Sequence, residues 1–191
     1  MKIAILALQG AFAEHRQMLT RMGVDSFLIR NVEDWAQPKD GLIIPGGEST
    51  TMMRLVQDLG LYTPIKQAIE HGLPVFGTCA GLIMLDANHL GTMNILVKRN
   101  AYGRQLGSFV AQADMKGIGN MDMVFIRAPY IEQVSEGCEV LATVDGNIVA
   151  ARQGNQLVTA FHPELGEDTR THEYFVDICR SFSNHKHNSN T

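Results

Sequence analysis

The chain has 191 residues, 45% of them hydrophobic and 19% charged, which suits one elaborated domain with a sizeable buried core. Sixteen Lys and Arg against twenty Asp and Glu leave a net charge of −4. That balance argues against a nucleic-acid binder with a basic phosphate-tracking face, and residues 3–8, the longest clean apolar run, fall far short of the ~20 needed to span a bilayer.

Residues 2–8 are short, β-branched and apolar on nearly every position, the pattern of a strand buried on both faces of a parallel sheet. Gly10 ends it, and residues 11–22 carry Phe12, His15, Met18, Leu19 and Met22 at helical spacing. Residues 24–30 predict a second strand and residues 41–45 a third, which ends in Gly46-Gly47. Ser49 or Thr50 is the expected cap of the next helix, which carries Met52, Met53, Leu55, Val56 and Leu59. A further helix spans about residues 63–71, with Pro64 in its first turn and Gly72 at its exit. Residues 73–77 predict a fourth buried strand, and residues 79–85 open another helix.

Beyond Asn94 the texture changes to short strand candidates at residues 95–98, 108–114, 121–127, 139–144, 148–152 and 157–161. Asp145-Gly146 between two of these is a hairpin signal. Residues 171–182 close the fold as a helix with Tyr174, Phe175, Ile178 and Phe182 on one face. The expectation is an α/β fold of three layers, a mostly parallel central sheet with helices on both faces and an antiparallel extension. It is expected to form one domain over residues 1–184, followed by a polar, disordered tail at 185–191. Three scattered cysteines, Cys79, Cys138 and Cys179, do not suit a disulfide scaffold, and the start shows no signal-peptide pattern, so a cytoplasmic protein is expected.

Gly77-Thr78-Cys79-Ala80-Gly81 lies between a buried strand and a helix, which is the nucleophile-elbow pattern with cysteine in place of serine. Such a turn lifts the sulfur to the carboxyl end of the sheet and to a helix N-terminus, where thiolate is favoured. The alternative is a structural cysteine between two turn glycines. A nucleophile needs a base and an orienter. Phe161-His162-Pro163-Glu164 follows the last strand candidate, and in an extended turn His162 and Glu164 project the same way. Of seven histidines only His162 combines a strand end with a nearby carboxylate; His15 and His71 look like helical surface or core residues. No Cys/His cluster has zinc-ligand spacing, so no metal is expected. Pro45-Gly46-Gly47-Glu48-Ser49 follows the third strand; its glycines can aim N–H groups at an oxyanion, and Glu48 can meet a ligand ammonium. A plain strand-to-helix turn would look the same.

Taken in order, Leu6-Ala7-Leu8-Gln9-Gly10, Pro45-Gly46-Gly47-Glu48-Ser49-Thr50-Thr51, the Cys79 elbow with Leu82, Arg99-Asn100-Ala101-Tyr102-Gly103-Arg104-Gln105, Phe125-Ile126-Arg127-Ala128-Pro129 and the His162 turn span nearly the whole chain. This set resembles the glutaminase subunits of the two-component pyridoxal 5′-phosphate synthases, a branch of the class I (triad) glutamine amidotransferases with a flavodoxin-like fold. The resemblance implies hydrolysis of L-glutamine to glutamate and ammonia through a Cys79 thioester, with His162 as acid and base and Glu164 holding the imidazole. It implies an oxyanion hole from Gly47 and Ala80, and glutamine recognition by Gly47, Glu48, Ser49, Arg99, Ile126 and Arg127. It implies no cofactor, and for a partner it implies a separate synthase subunit, the two forming a large heteromeric ring; neither nucleic acid nor membrane is expected. Residues 85–91 depart from the pattern, because the family carries a longer segment between the elbow helix and the His89-Leu90-Gly91 turn. Other amidotransferase glutaminases share the triad but not the branch-specific blocks. The cysteine-elbow chaperone and deglycase families lack the His-x-Glu turn, and an inactive docking subunit would have no need of all three residues.

Overall fold

The computed structural model describes residues 1–99 and 107–189. Its elements in chain order are β1 (Lys2–Leu6), α1 (Phe12–Arg21), β2 (Asp25–Ile29), α2 (Val32–Trp35), β3 (Gly41–Ile44), α3 (Ser49–Asp58), α4 (Tyr62–Glu70), β4 (Val75–Thr78) and α5 (Ala80–Leu85). These are followed by β5 (Ile95–Lys98), β6 (Ser108–Met115), β7 (Gly119–Ile126), β8 (Tyr130–Val134), β9 (Glu139–Val144), β10 (Asn147–Gln153), β11 (Gln156–Thr159) and α6 (Arg170–Ser189).

The apolar strand runs assemble as their composition requires. β1, β3 and β4 are buried on both faces almost throughout, and they run parallel in the order β2-β1-β3-β4-β11. From β11 the sheet continues antiparallel through β10 to β8 and β5, while β9 also pairs with β10. The β9–β10 turn has positive φ at both central residues, 50° at Asp145 and 78° at Gly146, the type I′ geometry that Asp-Gly favours. β6 and β7 form a separate two-stranded ribbon, so the antiparallel region does not extend the main sheet alone.

Side-chain alternation along β4 puts helices on both faces of the sheet. Phe76 lies against His15 of α1 and against His172 and Phe175 of α6, whereas Gly77 abuts α5. α3 packs beside α5. Cys179 of α6 is fully buried, and burial pushes its thiol pKa up, which fits a packing role.

Several local expectations change. Helix α3 is capped by Glu48, whose carboxylate accepts from the Thr50 and Thr51 amides, while Ser49 is already helical. The short helix α2 and the strand β8 have no counterpart in the sequence reading. Helix α6 runs on through Ser189, across most of the segment expected to be a disordered tail. Once a helix exists, each further residue adds a backbone bond with little ordering cost, and here Lys186 also lies over the Phe182 ring. The short join at residues 85–91 is a hydrogen-bonded turn. The Leu90 and Met93 amides donate to Met84 and Leu85 carbonyls, and Asp86 accepts from the Asn88 amide and pairs with His89.

Candidate active site

The carboxyl ends of β1, β3, β4 and β11 meet at one edge, where the strand order reverses around β1 and where open α/β sheets bind ligands. An open cleft of about 550 Å³ lies there, lined by Gly10, Ala11, Gly46, Gly47, Glu48, Ser49, Cys79, Ile83, Arg99, Ile126, Arg127, Pro129 and His162.

Cys79 sits between β4 and α5 at φ 51° and ψ −103°, a conformation that a residue with a Cβ adopts only under constraint. The constraint is visible. The Cys79 amide continues the sheet ladder to the Thr159 carbonyl at 2.8 Å, and the chain then turns at once into a helix whose every residue is buried. The turn is possible because α5 approaches β3 closely: a Cβ on Gly81 would lie 2.0 Å from the Ile44 carbonyl oxygen. Ala80, the first residue of α5, presents one of the amides that a helix start leaves without an intrahelical acceptor.

His162 follows β11, its amide held by the Val124 carbonyl of β7 at 2.8 Å. Its Nδ1 is 2.5 Å from Glu164 Oε1, and its ring lies with the Cys79 side chain against Gly46 at the cleft wall. Burial pushes the His162 imidazole pKa down, but its interactions with Cys79 and Glu164 outweigh that and raise it to about 10. Glu164 has a fully buried side chain, and its second oxygen, Oε2, has no hydrogen-bond partner. The three residues that the motifs single out are thus brought together, Cys79 and His162 in one cleft and Glu164 bonded to the far side of the imidazole.

The Gly46-Gly47 turn is held from the β1–α1 loop. The Ala11 amide donates to the Gly46 carbonyl at 2.9 Å, and Gln9 Oε1 accepts from the Glu48 amide at 2.8 Å. A Cβ on Gly10 would fall 1.9 Å from that same Gly46 oxygen, so only glycine permits the approach. Because carbonyl and amide point opposite ways across a trans peptide, the Gly47 N–H is directed away from Ala11. Glu48 lines the cleft, yet its carboxylate is engaged by the Thr50 amide at 3.1 Å, the Thr51 amide at 2.7 Å and the Thr51 hydroxyl at 2.5 Å. These donors hold its pKa at about 2. Arg99 Nη2 lies 3.6 Å from Glu48 and donates to the Thr50 hydroxyl at 3.2 Å. The Ser49 hydroxyl is buried in this region without a hydrogen-bond partner. Ile126 ends β7 and Arg127 follows it, both lining the cleft, with Arg127 at φ 43° and its amide donating to the Gly107 carbonyl. Residues 100–105 of the Arg-Asn-Ala-Tyr block lie outside the described residues.

All six residues that the resemblance implies for glutamine recognition therefore line one cleft together with Cys79 and His162; Ala80 and Glu164 do not line it and are buried, Ala80 next to Cys79 in the chain and Glu164 bonded to His162. The sequence reading leaves two neighbours without a role. His15 and His172, both fully buried, meet each other behind Glu164. A histidine in the apolar stripe of α1 was the available signal for the first; nothing local marks the second. Among the described residues no group of three or more His, Cys, Asp or Glu could hold a metal ion, and no helix is long and apolar enough to cross a membrane.

Comparison with known proteins agrees with this geometry. The chain is 55% identical to the pyridoxal 5′-phosphate synthase subunit PdxT of Streptococcus pneumoniae, over 96% of this chain and 100% of the relative. A crystal structure of a glutamine amidotransferase superposes with a TM-score of 0.87 at 40% identity, covering 93% of this chain and 98% of the other. A putative GMP synthase protein from Thermoplasma acidophilum, 18% identical, shares the fold with a TM-score of 0.75 over 97% of each chain. The model of the SNO glutamine amidotransferase family matches residues 5–181, and the chain belongs to that family.

Proposed function

We propose that this protein is a cytoplasmic glutaminase that hydrolyses L-glutamine and passes the ammonia to a pyridoxal 5′-phosphate synthase subunit of the PdxS type, assembled with it in a large heteromeric ring. The observation that carries the reading is Cys79 at the strained elbow sharing one cleft with His162, whose Nδ1 is bonded to the buried Glu164.

In the proposed reaction the Cys79 sulfur attacks the carboxamide carbon of glutamine. The carbonyl oxygen takes up the negative charge and is met by the Gly47 and Ala80 amides. His162, whose raised pKa keeps a proton on the ring at neutral pH, gives that proton to the departing nitrogen as the C–N bond breaks. A γ-glutamyl thioester and ammonia result. Water then attacks the thioester carbon as His162 takes its proton, the C–S bond breaks, and glutamate leaves with the sulfur restored as thiolate beside the protonated ring. Glu164 fixes the imidazole through Nδ1. Arg99, Arg127, Ser49, Ile126 and the Glu48 turn line the cleft that receives the amino-acid end; guanidinium and free hydroxyl suit its carboxylate. The Glu48 carboxylate reaches an ammonium only by sharing an oxygen that already caps α3.

A glutamine-mimicking diazo-ketone tests this directly. Intact-mass and peptide analysis should find it on Cys79 alone, because Cys179 is fully buried and Cys138 does not line the cleft. Equal labelling of Cys138 under native conditions would refute the assignment.

A further inference from the structure

Behind the candidate triad, three elements bring polar groups into a place from which water is excluded. His15 of α1, His172 of α6 and the Glu164 side chain are each fully buried. His15 Nδ1 is 2.8 Å from His172 Nε2, and His15 Nε2 is 3.1 Å from Thr78 Oγ1 and 3.6 Å from Glu164 Oε2. Two buried atoms at the ends of this chain have no hydrogen-bond partner: Glu164 Oε2 and His172 Nδ1.

The arrangement selects the proton positions. Were His15 protonated on Nδ1, its Nε2 lone pair would face the Glu164 carboxylate, and His172 would carry its proton on Nδ1, a buried donor with no acceptor. With the proton on His15 Nε2, the His172 Nε2–H donates to His15 Nδ1, and only an acceptor lone pair on His172 is left over. The His15 N–H then points between Thr78 Oγ1 and Glu164 Oε2, the oxygen that lacks a donor. Both rings stay neutral: burial and the neighbouring His172 and His162 hold the His15 pKa well below the usual histidine range, and burial alone brings His172 to about 3.

We propose that His15, with its tautomer set by His172, is a positioning residue for the proposed hydrolysis: its Nε2–H supports the free oxygen of Glu164, so that the carboxylate keeps its other oxygen on His162 Nδ1. The inference rests on the triad assigned above. Thr78, one residue before Cys79, shares the same N–H and ties the network to the elbow. Loss of the donor leaves a buried carboxylate oxygen free to compete for His162, so the imidazole loses its orientation while the cleft that binds glutamine is untouched.

The test uses the chain assembled with its synthase subunit, and the chain alone for spectroscopy. Nitrogen-15 correlation spectra of the wild-type imidazoles should show His15 neutral and protonated on Nε2. His15→Phe should lower kcat about 10- to 100-fold, by analogy with the range for hydrogen-bond partners that orient metal-ligating residues, with KM within about twofold. It should also shift or abolish the far-downfield proton of the His162–Glu164 hydrogen bond. His15→Gln, whose amide can donate and accept in the same two directions, should restore most of kcat and that resonance. A His15 imidazolium or Nδ1–H tautomer in the wild type would overturn the proposal even if His15→Phe failed to fold. So would a His15→Phe variant with unchanged kcat and resonance. Wild-type complex that hydrolyses no glutamine would refute the glutaminase reading instead, leaving the tautomer result to stand alone.

Discussion

Glu48 shows how one carboxylate can be drawn to two tasks. Its oxygens accept from the first turn of α3, and those donors depress its pKa from 4.5 to about 2. A depressed carboxylate adds stability above its unfolded pKa and loses it as pH falls through the folded value. Glu48→Gln should therefore lower the melting temperature at pH 7, with the gap to wild type narrowing as pH falls from about 4.5 towards 2; a constant gap would show that the charge is not what caps the helix. The histidines divide by sign. His162, raised to about 10, contributes stability below pH 6.5 that fades as pH rises through 10. His15 and His172 are lowered, so the unfolded chain binds protons that the native one refuses, and stability falls as pH drops below 6.5. In urea titrations His172→Phe should flatten that acid slope by up to about 1.4 kcal/mol per pH unit, and an unchanged slope would contradict its buried neutral state. The grouping of Cys79, His162 and Glu164 was legible in the sequence because elbow and His-x-Glu turn are local patterns with defined backbone consequences. His15 and His172 were not, since their meeting is made by two helices 157 positions apart.

Elements were read most securely where burial is two-sided. β1, β3 and β4 announce themselves as unbroken apolar runs, and Asp145-Gly146 fixes its hairpin. β8 is half-exposed and irregular, with only Ile131 fully buried and a bulge in its pairing to β5, so no period marks it. The cap of α3 was misplaced by one or two residues because the conventional capping types, Ser49 and Thr50, stand just past the glutamate that accepts the amides. The elbow makes the sharpest demand on an element. A methyl at Gly81 would sit 2.0 Å from the Ile44 carbonyl, backbone against backbone, so Gly81→Ala must push α5 off β3. Unfolding in denaturant should show a loss of at least ~1–3 kcal/mol, the usual range for overpacking, together with loss of Cys79 labelling. Native stability in that variant would mean that the helix start is far softer than its packing suggests.

At the scale of the molecule, strands from both halves of the sequence deliver the site: β1, β3 and β4 early, β11 and the β6–β7 ribbon late. The fold class was legible from the alternation of elements, but not the detachment of β6–β7 as its own ribbon, because pairing partners at long range leave no mark on strand periodicity. A protein that makes ammonia for a partner should be restrained when alone. The Gly46–Gly47 peptide is where such restraint can act, since turning it over would exchange the proposed oxyanion donor for a carbonyl oxygen and would break the Ala11–Gly46 hydrogen bond. Removing one such donor lowers turnover by about 10²–10³. The decisive measurement is the steady-state release of glutamate from L-glutamine by the chain with and without its synthase subunit, for wild type and Cys79→Ala. The account predicts turnover in the wild-type complex, markedly slower turnover by the isolated chain, and none above background for Cys79→Ala in either state. Glutamate release by the Cys79→Ala complex at the wild-type rate would contradict it.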